Sequence, residues 1–269
     1  MLTVRVAGFL LINPRAGDRR PSAEDLREEA ERLGVKTHVL ALDDDAVEVA
    51  RSAPDGPLGM AGGDGSLAPV AEVALERDVP FVAVPFGTRN HFARDVGFDR
   101  DDPLAAIAAF SGRERRIDVG RANGRLFLNN VSLGLYARLV HHREHHRRRR
   151  ATLARLRALG LLARRPGALG LRIDGQPVSA RVVLVANNDY NLELLSLGER
   201  ERLDEGRLHL YVAEGVLPGT WDERTGERFE VDARAGRLSA AVDGEPERLE
   251  TPLDFRIEPQ ALRVLVPHG

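Results

Sequence analysis

Leu58-Gly59-Met60-Ala61-Gly62-Gly63-Asp64-Gly65-Ser66-Leu67 passes from a short apolar run into three glycines that flank an acid, and then into a helical pattern over Leu67 to Glu76. A turn that joins a strand to a helix in this way leaves backbone amides exposed at a helix N-terminus, which is an anion site. Gly62, Gly63 and Gly65 let the backbone approach phosphate oxygens closely. Asp64 adds a carboxylate able to hold magnesium directly or through water, and Ser66 adds a hydroxyl. Taken alone, the stretch reads equally well as a structural turn.

A second loop shifts that balance. Pro85-Phe86-Gly87-Thr88-Arg89-Asn90 follows the apolar run Val82 to Val84 and precedes a short helical pattern. Two phosphate-competent loops then leave the same end of a parallel sheet, where ligands bind. Thr88 offers a hydroxyl, Arg89 either clamps phosphate or faces solvent, and Asn90 either binds nucleotide or caps the next helix.

Outward from these loops, short apolar runs alternate with helical patterns as far as residue 115, the signature of a parallel sheet covered by crossover helices. Strands are expected over Val4 to Asn13, Val35 to Leu42, Pro57 to Ala61 and Pro80 to Val84. Helices are expected from Pro21-Ser22 to Leu33, Asp43 to Arg51, Leu67 to Glu76 and Pro103 to Phe110. Ser22 can cap the first of them, Glu24 and Asp25 suit its dipole, and Gly34 ends it.

Beyond residue 115 helices become scarce. Asn123-Gly124, Asp174-Gly175, Ala235-Gly236 and Asp243-Gly244 tolerate the positive φ that tight hairpins need, and strand-like segments flank each pair. Alternation in Arg181 to Ala186, Arg207 to Val212 and Phe255 to Ile257 completes an antiparallel β pattern. The chain is therefore divided into an α/β domain over 1–115 and a β-rich domain over 116–269, the second interrupted by a basic helical insertion at about 141–165.

Composition sets further bounds. The 269 residues are 43% hydrophobic and 30% charged, enough to bury a substantial core. The absence of cysteine removes disulfides and thiolate metal sites, so chemistry runs on oxygen and nitrogen, and a reducing cytoplasm is compatible. The apolar run Val6 to Ile12 is too short to span a bilayer and lacks the flanks of a signal peptide. The formal net charge of −2 conceals an asymmetry, since Arg138 to Arg165 carries ten arginines against the single acid Glu144.

In that basic segment Leu153, Leu156, Leu159 and Leu162 recur at three-residue steps, forming an amphipathic pattern. It suits either an anionic bilayer surface, with Arg147, Arg148, Arg149 and Arg150 as contacts, or a solvated or dimer-facing helix. The histidines at 141, 142, 145 and 146 have metal-like spacing, but the flanking arginines disfavour a cation. Nucleic acid is disfavoured too, because no aromatic side chains are available to stack on bases.

The chain resembles the diacylglycerol kinase catalytic-domain superfamily, which includes bacterial lipid kinases, sphingosine kinases and ceramide kinases. The resemblance spans nearly the whole chain. It rests on Asn13-Pro14-x-Ala16-Gly17, Gly62 to Ser66, Gly87-Thr88-Arg89-Asn90-His91-Phe92-Ala93, Ile117 to Gly120, Asn129-x-x-Ser132-Leu133-Gly134, Leu203 to Leu208 and Val242-Asp243-Gly244-Glu245, in the family's order. It implies a nucleotide-binding α/β domain of the NAD kinase/diacylglycerol kinase type followed by a β-sandwich-like domain, with ATP and the lipid head meeting between them.

By that resemblance Asn13, Gly62, Gly63, Gly65, Ser66, Thr88, Arg89 and Asn90 line the nucleotide, Asp64 belongs to the magnesium network, and Asp118 is a supporting acid. Asp243 resembles the catalytic base, with Glu245 in the same network, although on residue type alone Asp243-Gly244 reads as a hairpin turn. Asp204 and Glu205 resemble a structural magnesium site, with Glu205 where aspartate is usual.

Other departures are His91 in place of the usual aspartate, Ser66 in place of threonine, no lysine after Gly17, and a segment from Glu214 to Glu230 that looks abbreviated. The implied activity is ATP- and Mg2+-dependent phosphorylation of a lipid alcohol such as diacylglycerol, in the cytoplasm with peripheral visits to the inner membrane surface. Two rivals stand beside it: a soluble kinase resembling NAD kinases, and a nucleotide- or lipid-binding regulator without catalysis.

Overall fold

The computed structural model describes residues 8–16, 21–134, 169–190, 192–193, 196–197, 200–213 and 221–268. The basic segment expected to be helical at about 141–165 lies outside them, as do the histidine run and Arg147 to Arg150. The described chain forms two compact units, one of residues 8–119, 200–205 and 259–268, the other of 120–197 and 206–258.

In the first unit the order is β1 (Phe9–Ile12), α1 (Ala23–Arg32), β2 (Lys36–Val39), α2 (Ala46–Arg51), β3 (Leu58–Gly62), α3 (Asp64–Glu76), β4 (Phe81–Pro85), α4 (His91–Asp95) and α5 (Pro103–Ala106). A 3-10 turn over Ile107–Ser111 follows, so the helix expected over Pro103 to Phe110 tightens at its midpoint. The sheet runs β2-β1-β3-β4, with every pair parallel. Strands β3 and β4 are buried along their whole length, as a parallel sheet covered on both faces requires.

Local chemistry explains the helix ends. Ser22 and Asp25 form a reciprocal capping box on α1, with Ser22 N donating to Asp25 Oδ2 at 2.7 Å and Asp25 N donating to Ser22 Oγ at 3.1 Å. Helix α3 begins at Asp64 with Gly63 as its cap, three residues before the expected start near Leu67. Of the glycines that look loop-like in sequence, Gly62 ends β3, Gly63 is the cap and Gly65 sits in the first helical turn, where an acid such as Asp64 suits the dipole.

The second unit is built from strands. They are β5 (Arg113–Ala122), whose first residues belong to the first unit, β6 (Arg125–Phe127), β7 (Asn130–Gly134), β8 (Leu169–Ile173), β9 (Gln176–Ala180) and β10 (Val182–Asn187). Next come the two-residue pair β11 (Leu192–Glu193) and β12 (Ser196–Leu197), then β13 (Leu208–Ala213), β14 (Trp221–Gly226), β15 (Arg228–Ala233), β16 (Arg237–Val242), β17 (Glu245–Glu250) and β18 (Leu253–Val266). One antiparallel sheet is ordered β14-β13-β10-β7-β16-β17. The other joins β9, β8, β15 and the start of β18.

Both sheets bury side chains in a single cluster that includes Val183, Val185, Leu210, Leu171, Val231 and Phe255, which makes this unit a β-sandwich. Phe127 and Phe255 meet edge to face there, 6.5 Å between ring centres. Three of the four hairpin dipeptides take left-handed backbone at both residues, including Asn123 at φ 49° with Gly124 at 83°, and Asp243 at 47° with Gly244 at 87°, whereas in Ala235-Gly236 only the glycine does.

A single crossing near residue 115 does not describe the chain path. Residues 200–205 and 259–268 return to the first unit, and Val264 of β18 pairs in parallel with Phe81 of β4. The return has a local reason: β4 would otherwise present an apolar strand edge, and the end of β18 covers it.

Candidate functional site

In the first unit, β1, β3 and β4 are parallel neighbours, so the residues that follow them emerge at one sheet end. Asn13 follows β1, Gly63 follows β3 and Phe86 follows β4. Asn13 N donates to Ala61 O at 2.9 Å and Phe86 N to Gly62 O at 3.2 Å, extending the ladder into the loops. Asn13 turns its Nδ2 toward Ser66 Oγ at 3.4 Å, while its Oδ1 accepts from Arg15 N at 3.1 Å. Asn13 and Ser66 are therefore brought together across 53 positions of sequence.

The two glycine loops touch backbone to backbone. A β-carbon added to Gly87 would lie 2.4 Å from Gly63 Cα and 2.9 Å from Gly63 N, so no side chain fits between them. Gly62 is restricted as well, because a β-carbon there would approach Ser66 Cβ at 2.9 Å. This seat is what an oligophosphate cradle needs: amides of a helix start, small residues, and the hydroxyl and amide groups of Ser66 and Asn13 around it. Thr88 and Arg89 are exposed beside it.

Asn90 does not take the capping role open to it in sequence. It makes no cap bond to α4; its buried side chain turns back, with Oδ1 accepting from Gly87 N at 2.8 Å and Nδ2 donating to Gly87 O at 2.9 Å. The left-handed backbone at φ 51° permits this reversal, and asparagine tolerates it better than most residues. The amides at the start of α4 are met by Asp64, whose Oδ2 accepts from His91 N at 3.2 Å and Oδ1 from Phe92 N at 3.0 Å. Asp64 thus ties the first turn of α3 to the first turn of α4, and each oxygen keeps a further lone pair through which magnesium could be held.

His91 stands where its imidazole is pushed toward the neutral form. Burial is the main cause, opposed by the negative charge of Asp64 and reinforced by Arg94. Behind it lies a group that sequence reading missed, the buried carboxylate of Asp95. It accepts from Arg94 Nη2 at 2.8 Å and from the fully buried Arg200 Nε at 2.8 Å, tying the returning segment 200–205 to α4.

Asp118 is also buried in this unit. Its N–H donates to Leu203 O at 2.8 Å and its Oδ1 accepts from Gln260 N at 2.7 Å, so its visible contacts hold the two returning segments. Asp204 Oδ1 lies 3.3 Å from Arg202 Nε and 3.9 Å from Arg115 Nη2. These guanidinium groups share Asp204 Oδ1 with any cation that Asp204 and Glu205 would hold.

In the second unit Asp243 occupies the first position of the two-residue turn between β16 and β17, with Glu245 exposed at the start of β17. Its carboxylate is buried against three successive amides. Oδ2 accepts from Leu128 N at 2.8 Å, and Oδ1 accepts from Asn129 N at 2.7 Å and Asn130 N at 3.1 Å. Such a nest of amides favours an ionised carboxylate.

Around Asp243, at one end of the sheet, lies a buried polar group. Asn187 Nδ2 donates to Leu128 O at 3.0 Å, Asn188 Nδ2 to Asn187 Oδ1 at 3.3 Å, and Asn130 Nδ2 to Tyr190 Oη at 3.5 Å. The doublets Asn129-Asn130 and Asn187-Asn188, each beside a strand end, were the sequence signal for it.

Residues 7–122 match the model of the diacylglycerol kinase catalytic domain. A Pseudomonas aeruginosa protein named probable lipid kinase YegS-like is 40% identical over 97 residues, 35% of this chain and 32% of that protein. The diacylglycerol kinase of Bacillus subtilis is 30% identical over 142 residues, 49% of this chain and 47% of that protein. The matched stretch is thus less than half of those relatives' length.

In fold, the chain superposes on a diacylglycerol kinase from Bacillus anthracis with a TM-score of 0.71 at 17% identity, over 97% of this chain and 96% of that one. The α/β unit with its two glycine loops and the antiparallel unit follow the fold of that neighbour, and residues 7–122 match the diacylglycerol kinase catalytic domain.

Proposed function

We propose that this protein is an ATP-dependent kinase that transfers the γ-phosphate to the hydroxyl of a lipid alcohol such as diacylglycerol. The observation that carries the reading is the close approach of Gly63 and Gly87, where a β-carbon on Gly87 would lie 2.4 Å from Gly63 Cα, so that two glycine loops present bare backbone side by side at one sheet end. Amides at the start of α3, Ser66 Oγ and Asn13 Nδ2 are the donors for phosphate oxygens there, and the exposed Thr88 and Arg89 add a hydroxyl and a charge-assisted contact. Asp64, with Oδ1 and Oδ2 already bonded to the α4 amides, is held rigidly for the magnesium network. Magnesium, when bound, offsets the charge of the triphosphate.

Asp243 is proposed as the acceptor of the hydroxyl proton. Phosphoryl transfer passes through a loose transition state in which the attacking oxygen is little bonded, so its proton leaves late and a weak base suffices. A carboxylate that accepts three amide hydrogen bonds is such a base. The same bonds favour a second reading, a nucleotide- or lipid-binding regulator in which Asp243 is only an anchor.

Transfer of radiolabelled phosphate from ATP to a panel of diacylglycerol, ceramide, sphingosine and NAD separates these readings, with Asp243→Asn and Asp64→Asn checked for folding by circular dichroism. Labelling of a lipid alcohol that is lost in folded Asp243→Asn supports the kinase. Labelling of NAD alone points to the soluble rival, and nucleotide binding without transfer to any acceptor points to the regulator.

Access to a lipid requires the protein to visit a bilayer, and we assign that contact to Arg147, Arg148, Arg149 and Arg150. No helix among the described residues is long and apolar enough to cross a membrane. Replacing the four arginines with glutamine lowers sedimentation with anionic liposomes on this reading; unchanged sedimentation removes the membrane role.

A further inference from the structure

Side chains alternate across the β14-β13-β10-β7-β16-β17 sheet. Val183, Val185, Leu210 and Val212 enter the core shared by the two sheets, whereas Leu184, Ala186, Tyr190 and Tyr211 form a small separate apolar cluster on the opposite face. His209 has the same parity as Tyr211, and Glu223 is the cross-strand partner of Tyr211, so both belong to that opposite face. Asp189 arrives two residues past the end of β10. Three potential ligands from three segments therefore converge at the rim of the cluster.

We propose that Asp189, His209 and Glu223 form a binding site for a divalent transition metal of the zinc class, with Tyr211 holding Asp189 in place. His209 Nδ1 lies 2.8 Å from Glu223 Oε1 and 3.8 Å from Asp189 Oδ1, and the three ligand atoms all fall within 4.8 Å of one another. Zinc takes imidazole nitrogen and carboxylate oxygen at about 2.0 to 2.2 Å in a tetrahedron, which needs ligand atoms roughly 3.4 Å apart. The observed spacings bracket that value. His209 is buried and stacked against Tyr211 at 6.1 Å between ring centres, while both carboxylates are exposed and have room to adjust.

The charge arrangement supports a cation. Two carboxylates approach one ring nitrogen, and a single proton on Nδ1 can serve only one of them at a time. A divalent ion serves both, with the imidazole proton moved to Nε2. Tyr211 Oη donates to Asp189 Oδ1 at 2.6 Å and accepts from Tyr190 N at 3.1 Å, the kind of outer contact that orients a ligating carboxylate. An imidazole with two carboxylates suits zinc better than magnesium, which prefers oxygen sets. The site stands apart from the phosphotransfer reading and does not depend on it.

Zinc chloride is titrated calorimetrically, in excess magnesium, into the full chain with His141, His142, His145 and His146 replaced by glutamine, because that run could take up zinc by itself. A single-site isotherm is expected that disappears in His209→Ala. Asp189→Asn and Glu223→Gln, both at exposed positions where folding is safe, should weaken binding by at least about tenfold, and Tyr211→Phe by about tenfold as an outer partner. The proposal is overturned if the parent shows no such isotherm, or if the isotherm is unchanged in Asp189→Asn and Glu223→Gln. Should His209→Ala fail to fold, those two carboxylate variants decide.

Discussion

Asp64 in the first unit gives its carboxylate to two amides, those of His91 and Phe92, whereas Asp243 in the second gives its own to three, Leu128 to Asn130. Both sit beside glycine, and both span a long gap in sequence. They differ in how much of the carboxylate is committed. Asp64 is half-buried and water can replace a lost bond, while Asp243 is buried and water cannot. The amide count and the burial together measure how far each group serves architecture and how much remains for chemistry.

The sharpest test of that contrast is Asp243→Ala. Three buried donors lose their acceptor at once, and urea denaturation should show a loss of about 3 to 5 kcal/mol. A loss near 1 kcal/mol would erase the distinction between the two aspartates. Gly87→Ala comes next, since its β-carbon would strike the backbone of Gly63. Overpacking of that kind costs about 1 to 3 kcal/mol. Phosphate transfer should fall by about 100-fold as the loops separate.

Asp64→Ala should cost only about 1 kcal/mol, the scale of a lost helix cap. Its effect on transfer should exceed its effect on stability; a purely structural Asp64 would show the reverse.

The smallest effect concerns His91, whose amide Asp64 holds and whose imidazole burial keeps neutral. Its folded-state affinity for a proton is below that of the unfolded chain, so the stability tied to it is present above the ordinary imidazole range near pH 6.5 and is lost as pH falls below it. His91→Gln should flatten that part of the pH–stability curve, measured by urea melts from pH 7.5 to 5. A curve unchanged by the substitution would show that the imidazole is solvated.

Much of this was legible in residue patterns because its causes are local. Short apolar runs became the parallel strands, Ser22 and Asp25 formed their capping box, and asparagine or aspartate before glycine took left-handed backbone at Asn123, Asp174 and Asp243. The loops at Gly62 and Gly87 were also legible, but not their contact, which depends on β3 and β4 being neighbours. The start of α3 was misjudged because Gly63 and Gly65 have low helix propensity, which the position of Asp64 at the helix start offsets.

What stayed hidden was long-range. The Asp95–Arg200 pair joins positions 105 apart, and nothing near either residue announces the other. The convergence of Asp189, His209 and Glu223 likewise exists only once strands β10, β13 and β14 are in register.

The return of β18 to the edge of β4 carries a consequence for biosynthesis. The sheet of the first unit takes its fifth strand from a segment that follows the whole second unit, so a ribosome that has already made both glycine loops still holds an incomplete sheet. Until Val264 clears the exit tunnel, β4 keeps one margin unpaired, and the nascent chain carries a sticky strand through the synthesis of everything between.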